Sequence, residues 1–196
     1  FILEGMVQTH LDVAIEKMQR KFGVNVEVKT PKVAYKETVR GTAKGQGILK
    51  KQSGGRGQFA DTWMEIEPLS KGQGFEFVSK IVGGAIPRQY IPSVEKGVIE
   101  AMKEGVSAKY PVIDVRVTLY DGSFHDVDSS DIAFKIAGSM GFKKIMADAK
   151  PVLLEPIVNL EITVPDESMG DVIGDLNGRR GRVSGMEPKI NCQVIM

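Results

Sequence analysis

The chain has 196 residues, 42% hydrophobic and 26% charged, with a formal net charge of +1. These values are ordinary for a globular protein and exclude a polycation, so any nucleic-acid contact must come from a local patch. Cys192 is the only cysteine, which excludes an internal disulfide and fits a reducing compartment; no signal peptide is visible, and no apolar run approaches the ~20 residues of a membrane helix.

The first predicted element is a helix. Leu11, Ala14, Ile15, Met18 and Phe22 recur at helical spacing, with Thr9 placed to cap the helix and Gly23 to end it. Val24, Val26 and Val28 then alternate as a half-buried strand, and Thr30-Pro31 breaks the pattern. Lys36 to Arg56 gathers Lys36, Arg40, Lys44, Lys50, Lys51 and Arg56 against a single acid, Glu37. Segments 45–51, 58–68 and 74–81 read as strands. Between the first two lies Gln52-Ser53-Gly54-Gly55-Arg56-Gly57-Gln58-Phe59. Its glycines permit positive φ and close approach of backbone to a partner. A cationic glycine loop on a hairpin suits a polyanion such as structured RNA, and equally suits a long hairpin turn.

Pro92 opens a helix whose buried face carries Val94, Val98, Ala101 and Met102, and Gly105 closes it. Val112 to Leu119 alternates as a strand. Ile113, Val115, Val117 and Leu119 share one face; Asp114, Arg116 and Thr118 share the other. The polar loop Tyr120 to Ser130 follows, where Asp128 or Ser129 can cap the next helix. That helix is expected to bury Ile132, Ile136 and Met140. Gly138 and Gly141 each weaken it by up to ~1 kcal/mol, which close helix packing would explain. After Lys150-Pro151, Leu160, Ile162 and Val164 form a strand. Pro165-Asp166 starts a helix with Met169, Val172, Ile173 and Leu176, Gly178 ends it, and two short strands finish the chain. The chain starts in mid-motif and stops inside an apolar strand, as a piece of something larger would.

Catalytic signals are scarce. There is no G-x-x-x-x-G-K-[ST] phosphate loop and no complete G-x-G-x-x-G. His10 and His125 are the only histidines, and neither has zinc-ligand spacing around it. His125, Asp126, Asp128, Ser129 and Ser130 contain the residue types of a hydrolase triad but lack an evident oxyanion loop. They also suit a helix cap with His125 as a polar loop residue, or an exposed loop whose imidazole meets phosphate, ribose or base. Asp121, Asp126, Asp128 and Asp131 would repel phosphate, so most of them are expected in caps and turns. Asn177-Gly178-Arg179-Arg180-Gly181-Arg182 places three arginines at a helix end. They can contact RNA backbone or complement the helix dipole.

Taken together, QSGGRGQ (52–58), GFEF (74–77), IVGG (81–84), YIP (90–92), YDGSFHDVDSS (120–130), PVLLEP (151–156) and MGDVIGDLNGRRGRVSGMEP (169–188) resemble the C-terminal part of bacterial elongation factor G. The resemblance runs nearly end to end. It implies an α+β chain: residues 1–34 as the end of domain III, 35–152 as domain IV, and 153–196 as the first part of domain V. Domain IV would have the ribosomal protein S5 domain 2-like fold with its crossover connection. The flanking domains would be incomplete ferredoxin-like folds.

The same resemblance implies a role in the cytoplasm on the ribosome, as a monomer and not at a membrane. Domain IV of the family is an arm that enters the decoding site and moves tRNA and mRNA during translocation. Its two tip loops correspond to Ser53, Gly54, Gly55, Arg56, Gly57 and Gln58, and to the segment around His125 and Asp126. Arg179, Arg180 and Arg182 correspond to a region near large-subunit rRNA. No catalytic residue, metal or cofactor is expected in this piece. GTP and Mg2+ would belong to the parent's GTP-binding domain.

Departures from the family pattern include Gly5-Met6-Val7-Gln8-Thr9-His10-Leu11-Asp12 where GMGELHLE is common. Phe124 stands where a tyrosine is usual. They suggest a paralogue and keep two alternatives open: a form that recycles ribosomes with recycling factor, and a stand-alone RNA-binding module.

Overall fold

The computed structural model describes residues 3, 7–29, 32–52 and 57–196. The backbone divides into two compact units, Phe1–Glu155 and Pro156–Met196. In chain order the first contains α1 (Gln8–Phe22), β1 (Lys36–Val39), β2 (Ala43–Lys51), β3 (Gln58–Pro68), β4 (Phe75–Ser79), α2 (Ile91–Glu104), β5 (Val115–Ser123), α3 (Asp131–Asp148) and β6 (Pro151–Leu154). The second contains β7 (Ile162–Val164), α4 (Met169–Gly178), β8 (Met186–Lys189) and β9 (Cys192–Ile195). The chain is therefore α+β, as its sequence implies. Among the described residues no helix is long and apolar enough to cross a membrane.

Four strands of the first unit form a sheet in the order β2-β3-β5-β4. β2–β3 and β3–β5 are antiparallel, while β4–β5 is parallel, so α2 lies in a crossover connection between neighbouring strands. Strand alternation sorts the side chains. Ala60, Thr62, Met64 and Ile66 of β3 are buried with Val115, Val117 and Leu119 of β5. α3 packs on β2 and β3, and α2 packs on α3. A side chain at Gly47 would bring its Cβ to 2.6 Å from the Gly141 nitrogen, and one at Gly138 to 2.7 Å from the Val94 carbonyl. These glycines let backbone meet backbone, the reason β2 carries Gly47 and α3 carries Gly138 and Gly141.

The structure corrects several sequence expectations. Ile132, Ile136 and Met140 are exposed, Ile132 by 64%, while α3 buries Ala133, Phe134, Ala137, Gly138, Gly141, Phe142, Ile145 and Met146. Its tightest contacts are at Gly138 and Gly141, so the face that carries these glycines turns inward and the face of Ile132, Ile136 and Met140 is left outside. Ser130, not Asp128 or Ser129, caps α3, its hydroxyl accepting from the Ala133 N–H at 3.2 Å. Thr9 lies inside α1, whose N-cap is Val7 without a side-chain cap; Gly23 does end it, at φ 64°. Val24, Val26 and Val28 are exposed and lie in no strand, and among the described residues no backbone pairs with them. Thr30 and Pro31, expected as a break, lie outside the described residues.

In the second unit the sheet order is β7-β9-β8, with both pairs antiparallel. β7 and β8 thus run parallel with β9 between them, the split βαβ arrangement of ferredoxin-like folds. β6 pairs with β1, and it spans the point after residue 152 where the resemblance divides the chain.

One buried acid fixes the link between α2 and β5. Glu37 on β1 is 1% exposed. Its carboxylate accepts from the amides of Val106 (3.0 Å), Ser107 (3.0 Å), Ala108 (2.6 Å) and Tyr110 (3.1 Å). Burial alone pushes the carboxyl up, but the four donors outweigh it and hold it below its ordinary value of 4.5. In the sequence Glu37 stands out only as one charge among six cations.

Two outcomes follow from this packing. Because the folded carboxyl is depressed, its stabilisation is full above about pH 4.5 and is lost as pH falls through the folded value. Glu37→Gln should cost about 2 kcal/mol at pH 7 by chemical denaturation, with the gap to wild type narrowing below pH 4.5; a pH-independent gap would contradict the charge-based account. Gly47→Ala should lower unfolding free energy by about 1–3 kcal/mol, because the added methyl meets α3 backbone.

Candidate nucleic-acid interface

The candidate site lies at the end of the sheet where β2 gives way to β3. Ser53, Gly54, Gly55 and Arg56 lie outside the described residues. Gly57 and Gln58 follow them, and exposed Gln58 pairs with exposed Lys51 across the hairpin. Lys50 is exposed beside them. β5 arrives at the same end, Ser123 opposite Asp61. Near this end the β3–β5 register shifts between Trp63 and Met64, leaving Tyr120 as the extra residue on β5. A bulge of this kind bends and twists the ribbon. The Ser123 hydroxyl donates to Asp61 at 3.2 Å, and the Gln46 amide donates to the other Asp61 oxygen at 2.9 Å.

The loop after β5 is tied back onto β3. The Phe59 N–H donates to the Asp128 carbonyl at 2.9 Å. The Ser129 hydroxyl donates to the Phe59 carbonyl at 2.7 Å and accepts from the His125 N–H at 2.9 Å. The Ser129 N–H donates to the His125 carbonyl at 3.0 Å, closing residues 125–129 into a compact turn. Gly57 sits against the Asp128 carboxylate, about 2.9 Å from where a Cβ would stand. The two segments singled out in the sequence are therefore neighbours, joined through Gly57, Phe59, Asp128 and Ser129.

His125 is presented outward, its side chain 58% exposed. Its Nδ1 accepts from the amides of Val127 (3.3 Å) and Asp128 (3.4 Å). With Nδ1 held as an acceptor, Nε2 carries the proton and is the available donor. The Asp128 carboxylate lies 3.6 Å from Nδ1. Asp126 is exposed beside it.

The hydrolase reading fails on this geometry. The Ser129 hydroxyl spends its proton on the Phe59 carbonyl, so the His-Asp-Ser set clamps a loop. Two of the four acids that would repel a phosphate are engaged: Asp121 accepts from the Gly122 N–H at 2.8 Å, and Asp131 from the Ser93 hydroxyl at 2.6 Å. Sequence reasoning offers Ser129 as a helix cap and misses its bond to Phe59, a residue 70 positions away. No local pattern marks such a contact.

The second unit holds the arginines expected near rRNA. Arg179 follows α4 and donates to Asp175 at 2.8 Å, which raises its guanidinium above the usual value. α4 ends at Gly178 as expected, and Arg180, two residues on, takes a left-handed conformation at φ 63°. Arg182 is exposed and lines a cavity of about 500 Å³ with Leu160, Ile162, Leu176 and Ile195. Among the described residues no group of three or more His, Cys, Asp or Glu is arranged to hold a metal ion.

Comparison with known proteins matches this chain to three family models. Residues 1–30 match elongation factor G domain III, residues 31–150 match elongation factor G domain IV, and residues 152–196 match the elongation factor G C-terminus. A crystal structure of a protein from Thermus thermophilus is 48% identical, with a TM-score of 0.85, covering 97% of this chain and 28% of that one. The chain thus spans little more than a quarter of that relative's length. Since the domain IV model alone accounts for more than half of its residues, the chain belongs to the elongation factor G family of translation factors.

Proposed function

We propose that this chain is the part of a ribosomal translocase that enters the decoding site and promotes movement of tRNA with its paired mRNA. The observation that carries this reading is the joined pair of segments at one end of the sheet. Gln58, His125 and the backbone around Gly57 are small, polar and presented together. An A-form duplex offers side chains a wide, shallow minor groove lined with 2′-hydroxyls and base edges. Short polar groups fit that surface, and a bulky apolar wedge would not. The Nε2–H of His125 is a donor for ribose, phosphate or base acceptors, and the Gln58 amide both donates and accepts.

On this reading the work is positional. The joined loops occupy the space beside the codon–anticodon duplex and disfavour its return, so the chain needs no nucleophile and no metal of its own. GTP and Mg2+ are assigned to a domain outside this chain, and Arg179, Arg180 and Arg182 to contacts with large-subunit rRNA. The ribosome is the partner, through rRNA, tRNA and mRNA.

In the full-length protein, His125→Ala and Gln58→Ala should each slow single-round translocation by about tenfold or more, the loss of a positioned polar contact of ~1.4 kcal/mol or above. Ribosome-stimulated GTP hydrolysis should stay near wild type in both. Loss of hydrolysis with tRNA movement spared would overturn the assignment. Robust subunit splitting with recycling factor, without translocation, would turn the reading to a recycling paralogue.

A further inference from the structure

A second surface flanks the joined loops. The segment from Lys80 to Arg88 leaves β4 alongside β5, its Lys80 N–H donating to the Leu119 carbonyl at 2.7 Å. It then folds under the loop-bearing end of the sheet. Ile86, 1% exposed, packs so closely on Gly122 that a Cβ there would stand 2.6 Å from Ile86 Cδ1. Gly122 pairs with Thr62, four residues before which β3 begins at Gln58. At ~3.3 Å per residue, the segment lies roughly 13 Å along the strand from Gln58.

Its exposed part has an unusual makeup. Gly83 and Gly84 both take positive φ, 68° and 74°, with open space where side chains would be. Val82 between Ile81 and these glycines is 82% exposed. Lys80 and Arg88 are exposed at the two ends of the segment, and among the described residues neither joins an ion pair with an acid. The segment borders a cavity of about 410 Å³ with apolar walls from Ile81, Ile86 and Pro92 and with Arg88 at its side. That combination suits one kind of partner. An apolar wall accepts the face of an unstacked base, and bare glycine amides and two unpaired cations accept phosphate. An acidic protein would match the cations but would leave the base-sized cavity without a use.

We propose that residues 80–88 form a third RNA-contacting element, which takes a single-stranded ribosomal RNA nucleotide, its base against Ile81 and Pro92 and its phosphates on Lys80 and Arg88. The proposal rests on the reading that the neighbouring loops act on the ribosome, and it extends that contact to a surface none of the motifs above assigns to RNA. The segment would help hold the joined loops in place while tRNA moves.

The test uses the full-length protein and ribosomes. Lys80→Ala combined with Arg88→Ala should reduce the slope of log affinity against log salt concentration by about 1.5, as loss of two phosphate contacts requires. Thermal unfolding should be unchanged, since both side chains are exposed and outside the core. A photo-reactive amino acid at position 82 should cross-link to ribosomal RNA. An unchanged salt slope, or cross-links confined to ribosomal protein, would overturn the proposal. Neither result touches the translocation reading, which stands or falls on the Gln58 and His125 variants.

Discussion

A single serine hydroxyl joins the two segments on which the functional reading depends. Ser129 donates to the carbonyl of Phe59 and accepts from the amide of His125, and the neighbouring Phe59 N–H closes the pair onto Asp128. Without these bonds the loop after β5 would have no fixed relation to the start of β3. With them, His125 faces outward beside Gln58, and the imidazole is oriented by two backbone amides. The bonds lie in a partly exposed place, so each is worth only about 1 kcal/mol. Their value is geometric: they convert two loops into one surface.

The scaffold behind that surface is set by close backbone packing. Gly47, Gly138 and Gly141 let α3 approach β2 and α2 at distances a methyl group would prevent. Phe134, Phe142, Ile145 and Met146 then fill the remaining space. Further along, the Glu37 carboxylate gathers four amides between α2 and β5 and so fixes where β5 begins. The start of β5 sets its register on β3, and that register determines where Ser123 and the loop beyond it emerge. Folding energetics and functional geometry are linked along one continuous path from β1 to His125.

Much of this was legible in the sequence where the pattern is local. β2, β3 and β4 follow from alternation and from glycine breaks, and α2 follows from Pro92, its apolar face and Gly105. The joined loops were legible only through resemblance to a family, since nothing in the spacing of Gln58 and His125 brings them together. The orientation of α3 was not legible. Apolar residues surround that helix, so periodicity could not choose between Ile132, Ile136 and Met140 on one side and Phe134, Phe142 and Ile145 on the other. Packing against Gly47 and Gly97 made the choice, and that information lies outside the helix. The roles of Glu37 and Ser129 were hidden for the same reason, because their partners lie about 70 residues away.

The central claim is that the start of β3 and the loop at His125 act as one surface against the moving tRNA and its codon. The most direct measurement places a photo-cross-linker at Gln58 and, separately, at Asp126 of the full-length protein bound to ribosomes. A control probe at Lys71 sits beyond the opposite end of β3. The account predicts that positions 58 and 126 attach to the same stretch of tRNA or mRNA and that position 71 does not. Attachment of positions 58 and 126 to unrelated RNAs, or of position 71 to the same nucleotides, would contradict it.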